Sequence, residues 1–131
     1  MSSLQRKIGG PALVQHLTSN EQLIDESILA KHGRSARTLS KEGPLRLTVI
    51  ALAPNGFLPT HSAEGPVTIQ VLEGAVTFTA LDQEYPLATG DLLILAAGVQ
   101  HSARSVEGVR FLLTVVHLPA APAEHVEPRR E

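Results

Sequence analysis

The sequence contains no cysteine and no tryptophan, and aromatic residues make up only 3% of its 131 positions. Without cysteine there can be neither disulfides nor thiolate metal ligands. That suits a reducing compartment, and a cytoplasmic location is expected. With so few rings, surfaces that stack nucleic-acid bases are not expected. Charge of one sign is missing too: 11 Lys and Arg stand against 13 Asp and Glu, a formal net charge of -2. The basic residues are scattered or near the end (Arg129, Arg130), with no stripe to follow a phosphate backbone, so nucleic acid is not an expected partner. No apolar run approaches the ~20 residues needed to cross a bilayer. The first residues lack the basic start, apolar run and small-residue cleavage site of a signal peptide. Neither a Gly-x-Ser-x-Gly elbow nor a phosphate-binding glycine loop occurs.

What is present is a 43% hydrophobic share, enough for one globular core in a chain of this length. That core must be built from Leu, Val, Ile and Ala. Residues 1–19 and 119–131 are polar, or rich in Pro, Ala and charge, and read as flexible ends. The folded unit is expected over 20–118.

Residues 20–32 read as one short helix. Thr18 with Glu21, or Ser19 with Gln22, has capping-box spacing, and Gly33 suits the C-cap. Leu23, Ile24, Ile28 and Leu29 fall at helical spacing, and Glu21, Asp25 and Glu26 favour the start. Beyond the helix the period changes to two. Strands are predicted over 45–52, 67–72, 75–81, 85–87, 92–95, 101–106 and 109–118. Gly74 is read as ending one of them, Asp82-Gln83 as a turn and Glu107-Gly108 as a hairpin turn. Many short strands with close turn signals predict an all-β sandwich or barrel.

Two segments then stand out. One runs from Gly56 through His61 to Val71-Leu72-Glu73-Gly74. The other is Gly90-Asp91 followed by Gly98-Val99-Gln100-His101. Together, in this order, they resemble the two motifs of the cupin superfamily, over roughly residues 37–118. The resemblance implies a double-stranded β-helix, the jelly-roll cupin barrel, with one short N-terminal helix. In metal-binding cupins the first motif supplies two His and a Glu, and the second one more His. By resemblance His61 and His101 stand at two of these positions. Ala63 stands at the second His position and Val67 at the Glu position. Ala96 replaces the usual Pro of the second motif.

Beside a metal-free acid–base catalyst with one His as general base, and a structural or interaction protein, the residues leave two further readings open. In one, the barrel binds a small molecule: His61 and His101 orient it, and apolar residues including Val67 and Ile69 line the interior. In the other, the chain is a metal-dependent oxygenase or isomerase that uses a divalent transition metal (Zn, Fe, Mn or Ni). His61 and His101 are then ligands, and a third must come from Glu64, His117 or Gln70. A two-residue turn at 107–108 would turn His117 away from His101, and a bulge would reverse this. His16, His32 and His125 are scattered, and Arg34 and Arg37 read as solvated surface. The last strand is apolar on both faces, so its outer face needs a cover, and a homodimer is expected.

Overall fold

The computed structural model describes residues 9–17 and 23–118. It contains one helix, α1 (Glu26–His32), and eight strands: β1 (Arg34–Glu42), β2 (Leu45–Leu52), β3 (Gly56–His61), β4 (Val67–Ala80), β5 (Gln83–Ala88), β6 (Leu92–Leu95), β7 (His101–Ser105) and β8 (Val109–Val116).

The helix is shorter than the apolar spacing predicts, because its cap lies inside the predicted span. Asp25 has extended backbone and accepts a hydrogen bond from the Ile28 amide at 3.0 Å, which fixes Glu26 as the first helical residue. Gly33 closes the helix in the left-handed conformation, φ 76°, and its N–H donates to the Leu29 carbonyl, as expected. The capping residues proposed at 18, 19, 21 and 22 lie outside the described residues.

All pairings are antiparallel, in the order β1-β2-β8-β4-β7-β3, with β5 and β6 also paired to β4. Strand β4 is the axis of the fold. Its first half, up to Gly74, pairs with β8 and β6, and its second half, from Ala75, pairs with β5 and β7. Gly74 therefore does not end the strand. It carries β4 from one sheet into the other with φ 96°, after a register shift between Val71 and Glu73. A bulge with a left-handed glycine bends a strand sharply and leaves the chain extended.

Curling around that bend brings the two inner faces together. One buried cluster joins Val67, Ile69, Val71 and Phe111 of the first sheet to Val76, Phe78, Ala80 and Ala103 of the second. Phe78 and Phe111 meet edge to face with centroids 5.6 Å apart. The fold is thus a mostly β, antiparallel half-barrel, in agreement with the sequence reading.

Two strands were not foreseen. The β1 segment (RSARTLSKE) has too few apolar residues to show a period of two, and β3 contains Pro59. Both are at the ends of the strand order, where a polar or proline-bearing strand is tolerated. The turn after β4 is shifted by one residue: Leu81 and Asp82 both have positive φ, and Gln83 already belongs to β5.

The segment Glu107-Gly108 is not a hairpin. β7 pairs with β3 and β4, and β8 with β2 and β4, so the connection crosses from one sheet to the other. β7 and β8 do not pair, so strand parity sets no relation between His117 and His101. A second small cluster (Leu23, Ile24, Leu39, Val49, Ala51), with Leu17, Leu29 and Leu112 against it, lies on the outer face of the first sheet. Part of the cover expected from a second copy is therefore supplied by the chain's own N-terminal side.

Candidate functional site

His101 begins β7, where alternation turns His101, Ala103 and Ser105 inward. His61 ends β3. The register places His61 opposite His101, and His101 opposite Ala80, so the pair sits across adjacent strands of one sheet. The ring centroids are 4.2 Å apart with an interplanar angle of 61°. His101 is 3% exposed and lies 6.1 Å from the Phe78 ring at the rim of the core, while His61 faces solvent.

Each ring is held in the same way. His61 Nδ1 lies 2.9 Å from the Pro59 carbonyl oxygen, and His101 Nδ1 lies 3.0 Å from that of Val99. A carbonyl oxygen can only accept, so Nδ1 carries the proton in both rings. In the neutral form both Nε2 atoms are left with lone pairs. The two supporting loops are tied together, because the Gly98 N–H donates to the Ala63 carbonyl at 2.8 Å. Burial pushes the pKa of His101 below the usual histidine range; the Val99 hydrogen bond opposes this, and a charge on His61 adds to it.

An open cleft of about 580 Å³ adjoins His101, lined also by Thr60, Thr79, Leu81, Asp82, Val99 and Gln100. Of these, Thr60 and the Gly98-Val99-Gln100-His101 loop lie in the two motifs that stood out in the sequence. The Leu81-Asp82 tip reaches the cleft because of the β4–β5 hairpin, and no local pattern announces that.

The other residues singled out in the sequence lie elsewhere. Val67 and Ile69 are 2% and 0% exposed and belong to the packed core between the sheets. Ala63 packs against the edge of that core. Gln70 is exposed, out of phase with its buried neighbours, as its parity requires. Glu64 and His117 are exposed, with Glu64 Oε2 4.0 Å from His117 Nδ1.

The donor set does not suit a resident metal ion. A protein metal centre of the open, catalytic kind takes three side-chain ligands. Among the described residues no group of three or more His, Cys, Asp and Glu converges. The two positions that would complete a cupin set are the apolar Ala63 and Val67.

Residues 48–117 match the family model for the cupin domain, more than half the chain, and the protein belongs to that family. Solved structures agree on the fold. An RmlC-like cupin protein from Desulfovibrio desulfuricans superposes with a TM-score of 0.68 at 20% identity, covering 80% of this chain and 97% of that one. A conserved protein of unknown function from Streptococcus pyogenes gives 0.63 at 23% identity, covering 85% and 100%. A cupin superfamily protein from Desulfitobacterium hafniense gives 0.63 at 16%, covering 66% and 79%. At these identities the likeness is one of fold. No curated protein matches the chain in sequence. Among the described residues no helix is long and apolar enough to cross a membrane.

Proposed function

We propose that this cupin is a small-molecule-binding domain in which His61 and His101 orient the ligand. The observation behind this reading is the paired Nδ1 anchoring to Pro59 and Val99. Fixing both rings through Nδ1 leaves each Nε2 free to accept, in rings whose centroids are 4.2 Å apart, with His101 lining the adjoining cleft. Such a pair takes hydrogen bonds from adjacent hydroxyl or amine donors of a neutral ligand. The rings are fixed before binding, so little side-chain entropy is lost on association. The lack of cysteine supports a cytoplasmic setting. The apolar residues left exposed on edge strand β6, Leu92 and Ile94, support self-association as a homodimer.

The test is a thermal-shift screen of small polyols, sugars and amino alcohols, followed by NMR titration of any compound that raises the melting temperature. A true ligand moves the imidazole Nε2 resonances of both rings and loses roughly tenfold or more in affinity in H61A/H101A, given ~1 kcal/mol or more per hydrogen bond. A ligand that binds wild type and double variant equally removes the reading. Stoichiometric metal in protein purified without chelator or tag, lost in the double variant, removes it as well.

A further inference from the structure

The strand order ends at β1 on one side and β3 on the other, and neither has a second neighbour among the described residues. The half-barrel is open between these two edges. One side chain bridges them: Arg34 Nη1, on β1, reaches the Phe57 carbonyl of β3 at a long 3.4 Å. On either side of this bridge lies a hollow, one of about 470 Å³ and one of about 410 Å³, and both are lined by His32 and Arg34. The first is floored by Ile28, Ile50 and Leu58, and the second is walled by Phe57, Pro54 and Pro59. Ile50 and Leu58 rest on the core, so this floor is part of the rigid frame.

The charge of the seam is one-sided. Among the described residues neither hollow is lined by Asp or Glu, and no side-chain ion pair includes Arg34 or His32. The neighbouring hollow along β1 is lined by Asp25, which is engaged in capping Ile28. The hollow on the opposite side of α1 is the reverse, with Glu26, Glu73 and Glu107 around Arg110. A guanidinium with spare donors above an apolar floor matches a group with two oxygens and a greasy body. The hollows are of the size small-molecule sites usually have.

We propose that this seam is a second binding site, separate from the histidine pair, for an apolar monocarboxylate. The carboxylate is held by Arg34 with His32 beside it. The apolar body lies along Ile50 and Leu58, or against the exposed Phe57 ring. This assignment does not depend on His61 or His101.

The experiment is an NMR titration of the full-length ¹⁵N-labelled chain with octanoate, 1-octanol and acetate. Octanoate is expected to move the amide signals of Arg34, Ile50 and Leu58 in a saturable way. Octanol, lacking the charge, and acetate, lacking the chain, are expected to bind roughly tenfold more weakly or worse. In R34Q, octanoate falls to the level of octanol while octanol is unchanged. Arg34 is exposed, so in R34Q the spectrum is expected to change only around position 34 and its contact with the Phe57 carbonyl. H61A/H101A retains octanoate binding, which separates this result from the fate of the histidine site. The proposal is overturned if R34Q binds octanoate as well as wild type, or if the shifts centre on Thr60 and His101. It is equally overturned if octanoate up to about 10 mM has no effect, a weak-binding limit of ~3 kcal/mol. Light scattering at twice the monomer mass, with cross-links across the seam, would then assign the groove to a second copy.

Discussion

His61 and His101 face each other across β3 and β7, with ring centroids 4.2 Å apart and each Nδ1 fixed to a carbonyl oxygen two residues back. One ring is buried and the other open to water. His101 has its pKa lowered, first by burial and then by His61, against the pull of the Val99 hydrogen bond. The folded state therefore binds fewer protons than the unfolded state between the lowered value and the ordinary ~6.5. Stability rises with pH across that window. It is fully present above the unfolded value and is lost as pH falls toward the folded one. Urea midpoints measured from pH 8 to pH 5 are expected to drop below about 6.5, and H101N is expected to flatten that drop. An unchanged slope in H101N would move the effect to another group.

The same coupling predicts the behaviour of the exposed partner. H61A removes a neighbouring positive charge and opens His101 to water. Both changes favour protonated His101, so its NMR titration midpoint is expected to rise. His61 lies on the solvent side, and its loss is expected to cost under about 1 kcal/mol in urea unfolding. A fall in the His101 midpoint would contradict the geometry described.

At the helix, Asp25→Ala is expected to cost about 1 kcal/mol, because the Ile28 amide loses its acceptor and the first turn its negative charge. Asp25→Asn keeps the acceptor and is expected to recover most of that loss. Urea unfolding of the pair gives the comparison, and amide exchange at Ile28 reports the cap directly.

How much of this was legible in the sequence follows from where the information lies. The β4 alternation, with Val67, Ile69 and Val71 buried and Thr68 and Gln70 outward, was readable because both sheet faces differ in solvation. The convergence of His61 and His101 was readable only through two motifs that carry the fold between them. Strand β1 was hidden because an edge strand over a partly open seam needs few apolar residues. The start of α1 was obscured because Leu23 and Ile24 continue the helical spacing although they pack outside the helix, on the outer face of the first sheet. The seam around Arg34 had no local signature at all. It exists because β1 and β3 are the two ends of the curled sheet, and the Arg34–Phe57 contact between them joins residues 23 positions apart.

The β4–β5 connection gives a stabilising prediction. Leu81 and Asp82 have φ of 54° and 59°, the pair of left-handed residues that a two-residue hairpin turn requires. A leucine resists that conformation, and here its side chain is also exposed. Leu81→Asn with Asp82→Gly is expected to stabilise the protein by about 1 kcal/mol. The melting temperature is the readout. Because Leu81 and Asp82 border the cleft beside His101, ligand binding is expected to change even as stability improves.

Gly74 and Gly98 separate two reasons for which a chain requires glycine. Both have positive φ, 96° and 80°. A Cβ at Gly98 would meet nothing, whereas one at Gly74 would overlap the carbonyl oxygen of Gly108 and crowd the Val109 Cα. Gly98→Ala therefore bears the backbone term alone, about 1–2 kcal/mol. Gly74→Ala adds a collision between two backbones that cannot rotate away, an overpacking cost of about 1–3 kcal/mol more. The larger loss falls on the residue that passes β4 from one sheet to the other, so it is expected to loosen both halves of the half-barrel together. Urea unfolding followed at Phe78 and Phe111 by NMR tests this. In Gly74→Ala the two rings should lose their native signals at one shared, lowered midpoint. Two separate midpoints would mean that the sheets are stable independently and that the bend merely joins them.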